Sequence, residues 1–229
     1  MTSCSPRKTG RRGHPSDFTP DERAGGHLRL NDLFRQRPEV RAVALDSRVG
    51  AILQDLLGEP AVLCSSLTFE KGSQQTEHID SLYITPPTPG KLVATWIALE
   101  DAHPGAGQLF YYPGSHKLPL YTFSDGSHHA VPAEMGEWME YIHEQIEEAG
   151  LTRESFAAKK GDLFIWSADL VHGGSPITDP TRTRKSLVCH YFAHSDGLAL
   201  GFECESEGES FWHRRTRKKT AAETATSSV

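Results

Sequence analysis

The chain has 229 residues, 37% of them hydrophobic and 24% charged, which is enough for one domain with its own core. Its 24 Lys and Arg against 30 Asp and Glu leave a formal net charge of −6, the wrong sign for a general affinity for the nucleic-acid backbone. No apolar run approaches the roughly 20 residues that span a bilayer, and the basic Met1–Gly13 stretch has no apolar segment behind it.

The four cysteines, Cys4, Cys64, Cys189 and Cys204, form no C-x-x-C pair, so neither a disulfide framework nor a structural zinc site is expected. A reducing, cytoplasmic setting follows, with the chain a monomer or homodimer lacking nucleic-acid or membrane partners.

In chain order, residues 1–24 mix Pro, Gly, Ser and charge without periodicity and read as a flexible arm. Residues 39–57 place Val43, Val49, Ile52, Leu53, Leu56 and Leu57 at helical spacing between Pro38 and Gly58, so one amphipathic helix is expected there. Short strands divided by Pro/Gly turns are expected at 61–69, 78–84, 92–99, 107–112, 162–167 and 185–193. An acidic helix over 134–149 ends at Gly150. It lies in a 118–160 insertion that, with the 82–90 loop, is read as a lid. The acidic face of that helix reads first as solvated, although a cationic substrate would also suit it. From residue 207 onward the chain reads as a disordered, basic tail. Many short strands, few helices and no βαβ alternation make the 25–206 domain mainly β: a double-stranded β-helix, the jelly-roll or cupin-like barrel, with a few supporting α-helices.

The chemistry-bearing feature is His78-Ile79-Asp80. Residues two apart on extended chain project to one side, so an imidazole and a carboxylate can meet at a common point. His172 supplies a second imidazole late in the barrel pattern. Two histidines and one carboxylate are the facial triad of non-haem Fe(II) oxygenases, which leaves positions open for O2 and a co-substrate. Twelve residues on, Arg184 and Ser186 share a period-two face with Val188 and His190. A guanidinium and a hydroxyl there suit a planar carboxylate, such as the distal one of 2-oxoglutarate. Arg182 is the alternative for that role.

Gln74 and Gln75 precede the H-x-D and are candidates to reach co-substrate or substrate. His116 is read as part of a turn, His128-His129 as loop residues, and His190 as a hydrogen-bonded core histidine. Phe164, Trp166 and Phe192 are read as core.

HID at 78–80, GKLVATWIALED around Trp96, AGQLFYYPGSHK at 106–117, KKGDLFIW at 159–166, HGGS at 172–175 and RKSLVCHYF at 184–192 occur in order. In this the sequence resembles the phytanoyl-CoA dioxygenase-like Fe(II)/2-oxoglutarate-dependent oxygenases over roughly residues 60–193. The resemblance implies His78, Asp80 and His172 as iron ligands, Arg184 as the salt bridge to 2-oxoglutarate, and Trp96 as a wall of the co-substrate pocket. It also implies oxidation of a small molecule, with succinate and CO2 released. The Asp80 carboxylate favours hydroxylation, desaturation or ring closure over halogenation, because related halogenases have a small residue at this place. Gly174 stands where the family usually carries a small polar residue, with Ser175 next to it. Two other readings stay open: a zinc hydrolase on the same three residues, and a jelly-roll binding module without catalysis.

Overall fold

The computed structural model describes residues 3–6, 19 and 28–214. A large sheet runs β1 (Ser3–Pro6), β2 (Leu28–Asn31), β3 (Ala61–Phe69), β9 (Ser186–Ala193), β4 (Leu92–Ala98), β7 (Leu163–Ser167). A smaller sheet faces it, ordered β6 (Glu154–Phe156), β5 (Leu109–Tyr111), β8 (His172–Gly174). This is the expected double-stranded β-helix. All eight residues of β9 are buried, and alternation sends them to two different places. Leu187, Cys189, Tyr191 and Ala193 join the core under the helices, while Val188 and His190 turn into the cleft between the sheets.

The helix expected over 39–57 is two helices, α1 (Pro38–Ala44) and α2 (Ser47–Leu57). Asp46 separates them: its backbone is extended, and its side chain caps α2 by accepting from Arg48 N at 3.0 Å. Gly58 closes α2 at φ 76° and donates its N–H to Gln54 O. Leu53 and Leu57 are buried against the large sheet, but Val43, Ile52 and Leu56 are exposed, so the buried stripe is narrower than the periodicity promised. The acidic helix is α3 (Met135–Glu148), with Trp138, Ile142 and Ile146 buried.

The expected disordered tail begins too early. β10 (Glu203–Glu207) and β11 (Ser210–Arg214) form a hairpin, and β11 pairs in parallel with Val62 and Leu63 of β3. Its aromatic residues outweigh its charges. Trp212 is buried against Phe34, Phe211 stacks on His194 at 4.3 Å, and His213 stacks on Phe202 at 4.0 Å. Residues 215–229, and most of the 1–24 arm apart from β1, lie outside the described residues. Among the described residues no helix is long and apolar enough to cross a membrane.

Candidate metal centre

The strand expected at 78–84 does not form. His78 makes a single bridge to His172, each N–H donating to the other's carbonyl at 3.0 Å, and the chain then tightens into a 3-10 turn at Asp80–Leu82. Asp80 N and Ser81 N both donate to Ala168 O, which anchors that turn. Ile79 remains extended (φ −116°, ψ 146°), so the two-residue argument holds locally. His78 and Asp80 face the cleft, whereas Ile79 packs into a separate apolar cluster.

That cluster is built by residues 118–151; the insertion expected over 118–160 is shorter than that, because its last part supplies β6 of the smaller sheet. Phe123, Trp138, Ile142 and Ile146 pack with Ile79, Leu82 and Val171, residues that flank all three members of the His/Asp/His set. Ser115 Oγ accepts from Val171 N at 2.8 Å, and Ala130 N donates to Leu82 O at 2.9 Å. The insertion is thus a packed wall behind the site, held by its own core.

His78, Asp80 and His172 are all buried, and one ligand atom from each lies within 4.8 Å of the others. His78 Nε2 and His172 Nε2 lie 3.9 and 3.7 Å from Asp80 Oδ1. Each imidazole is set by its other nitrogen: His78 Nδ1 donates to Thr76 O and His172 Nδ1 to Leu170 O, both at 2.9 Å. A carbonyl can only accept, so Nδ1 carries the proton and Nε2 presents its lone pair. Burial works against charge on Asp80, yet attraction to His172, His190 and His78 in their protonated form, together with a hydrogen bond from His190, outweighs it and holds the carboxyl below its usual range. Two imidazole nitrogens and a carboxylate oxygen on one side of a space are a donor set that fits Fe(II).

Arg184 lies just before β9, its N–H donating to Glu70 O, and lines the same cleft as His78, Asp80 and His172. It is 3% exposed, and no carboxylate pairs with it among the described residues. Nη1 donates to Gly107 O at 2.7 Å, Nε has no partner, and Cζ stands 5.6 Å from the Trp96 ring centre. Burial pushes its pKa down to about 10, so the guanidinium is still charged at neutral pH. A buried cation without an anion is unfavourable unless a ligand supplies one. Trp96 Nε1 and Ser186 Oγ are likewise buried without a partner. Arg182, by contrast, is a surface residue tied to Asp179 at 3.2 Å.

Trp96 and Gln75 line the cleft with the three metal-binding candidates and Arg184; Ser186, two residues after Arg184, is buried but is not part of the lining. Gln74 instead accepts from Ile177 N. His116 is exposed, and His128 and His129 bond to Tyr121 O and Thr85 within loops. Two residues read as core from sequence belong to the site: Trp166 donates to Asp80 Oδ2 at 3.0 Å, and His190 Nε2 lies 3.5 Å from the same oxygen. Their signal was present for His190, which shares the Arg184 face. For Trp166, an indole that points inward reads like any core aromatic.

Known proteins bear on this arrangement. The model of the family described as "Phytanoyl-CoA dioxygenase (PhyH)" matches residues 8–185. Phytanoyl-CoA dioxygenase domain-containing protein 1 of Danio rerio is 32% identical over 88 residues, 37% of this chain and 30% of that protein. Phytanoyl-CoA dioxygenase 1 of Oryza sativa subsp. japonica is 27% identical over 163 residues, 67% of this chain and 52% of its own length. The chain therefore spans about a third to a half of the length of these curated relatives. The carbocyclase SnoK from nogalamycin biosynthesis matches with a TM-score of 0.59 at 21% identity, over 80% of this chain and 74% of that one. EctD from S. alaskensis, solved with 2-oxoglutarate and 5-hydroxyectoine, matches with a TM-score of 0.59 at 20% identity, over 80% and 64%. At these identities the two structures show a shared fold.

Proposed function

The chain belongs to the phytanoyl-CoA dioxygenase family, and from that premise we propose that it is an Fe(II)/2-oxoglutarate-dependent dioxygenase that hydroxylates a small molecule. One observation carries the proposal: a buried His/Asp/His set and a buried, unpaired arginine line the same cleft. With O2 as the other co-substrate, bound iron and 2-oxoglutarate supply oxidation of an unreactive C–H bond, with succinate and CO2 as by-products.

The chain's own residues do the rest. His78 and His172 offer Nε2, fixed by the carbonyls of Thr76 and Leu170. Asp80 offers Oδ1. Arg184 receives the distal carboxylate of 2-oxoglutarate, with the unpartnered Nε1 of Trp96 on the same cleft wall and the unpartnered hydroxyl of Ser186 two residues on as the further donor. Gln75, which lines the cleft ahead of His78 together with Ser73, takes the role of a further contact to co-substrate. The apolar lining, including Leu67, Phe69, Leu109 and Val188, limits water around the reacting centre. Asp80 in the carboxylate position supports hydroxylation, or the related desaturation or ring closure, over halide transfer. The names of SnoK and EctD, a carbocyclase and a protein crystallised with 5-hydroxyectoine, accord with a small, natural-product-like substrate.

A zinc hydrolase on the same residues would leave the buried charge of Arg184 without a purpose. The test is succinate formation from 2-oxoglutarate in air, scored across a panel of small molecules for stimulation. Asp80→Ala is expected to abolish it, and activity that persists in Asp80→Ala or without O2 would overturn the proposal.

A further inference from the structure

We infer that Trp166 and His190 are a positioning pair that turns the carboxylate of Asp80 so that one oxygen alone faces the metal-binding space; the inference rests on the centre proposed above. The two oxygens of Asp80 have separate surroundings. Oδ1 lies 3.9 and 3.7 Å from the Nε2 atoms of His78 and His172. Oδ2 receives the Trp166 indole N–H at 3.0 Å and has His190 Nε2 at 3.5 Å. An indole can only donate, so this bond has a fixed direction. The unpaired, buried Nδ1 of His190 leaves Nε2 as the nitrogen that carries a proton toward the carboxylate.

The sheet register produces this clamp. Ala94 of β4 pairs with His190 on one side and Trp166 on the other, so the three form one row across the sheet. Adjacent strands are about 4.8 Å apart, which separates the outer two by roughly 10 Å. Ala94, fully buried and carrying only a methyl group, leaves the middle of the row low. The Oδ2 end of Asp80 sits within reach of both outer side chains. A carboxylate with one oxygen engaged this way offers the other as a single-point ligand and leaves one more metal position open than a chelating carboxylate would.

The experiment uses Co(II) as the probe under anaerobic conditions, with affinity read by titration, geometry by the visible absorption of the bound ion, and folding by thermal unfolding of the metal-free protein. Trp166→Phe keeps the ring and removes the N–H; it is expected to weaken Co(II) at least about tenfold and to change its absorption spectrum. His190→Leu is expected to weaken binding several-fold, and His190→Gln, which restores a donor near the Nε2 position, to recover most of it. Loss of packing alone would lower the unfolding temperature and leave the spectrum of bound Co(II) unchanged. Unaltered affinity and spectrum in both Trp166→Phe and His190→Leu would overturn the positioning role. Failure of the unsubstituted protein to bind Co(II) would instead overturn the metal centre itself.

Discussion

Arg184→Met separates what the guanidinium does for the fold from what it does for a ligand. Burial lowers its pKa from 12.5 to about 10, a difference worth about 3 kcal/mol at 1.36 kcal/mol per unit. Its bond to Gly107 O returns about 1 kcal/mol. Methionine fills similar space without the charge, so the ligand-free variant is expected to be more stable by about 2 kcal/mol, or roughly 4–8 °C in unfolding temperature. The 2-oxoglutarate affinity moves the other way. Removing one partner of a buried, hydrogen-bonded ion pair costs about 2–5 kcal/mol, which is roughly 30-fold to several thousand-fold in Kd. The assay is thermal unfolding with and without 2-oxoglutarate in the presence of Fe(II), without O2. At 100 times its Kd the ligand should add about 2.7 kcal/mol of stability to the unsubstituted protein, and at the same concentration no more than about 0.9 kcal/mol to Arg184→Met. A variant that is less stable when empty yet still stabilised by 2-oxoglutarate would refute the reasoning.

Substitutions at three further positions probe the frame. Gly173→Ala places a Cβ 2.6 Å from Gln75 O and 2.4 Å from Phe110 Cζ, so it should lower stability by about 1–3 kcal/mol in denaturant unfolding and weaken 2-oxoglutarate binding as the segment carrying Gln75 is pushed away. Trp212→Ala should cost about 3 kcal/mol, measured the same way, because this buried ring packs on Phe34 and lies under Arg41; an unchanged value would return the C-terminal hairpin to a disordered tail. Arg48 bonds through side chain and backbone hold the Asp46 carboxyl down to about 2 against an ordinary 3.8. Its folded pKa is the lower one, so its contribution is present above about pH 4 and fades as pH falls toward 2. Asp46→Ala should remove that part of the acid dependence from thermal unfolding, whereas Asp46→Asn should keep the cap.

What could be read from the chain alone was whatever depends on local alternation. The face shared by Arg184, Val188 and His190 is visible in RKSLVCHYF, and β9 buries the outward set and the cleft set as that pattern requires. The H-x-D spacing placed His78 and Asp80 on one side even though the strand around them is replaced by a bridge and a tight turn. β8 was hidden because glycine has no strand preference. There the glycines serve close approach: a Cβ on Gly174 would lie 2.8 Å from Gln74 N. The break at Asp46 was hidden because an N-cap in the middle of an apolar periodicity competes with that periodicity. The role of Trp166 was out of reach for a different reason. Its meeting with Asp80 is set by the pairing of β4 with both β7 and β9, and cross-strand register is not a local property.

The most direct measurement is anaerobic addition of one equivalent of Fe(II) and then 2-oxoglutarate, followed in the visible spectrum. A ferrous ion chelated by the keto acid should give a charge-transfer band that saturates at one 2-oxoglutarate per chain and is absent from His172→Ala. No band in the folded, unsubstituted protein, or an equal band in His172→Ala, would contradict the proposed centre.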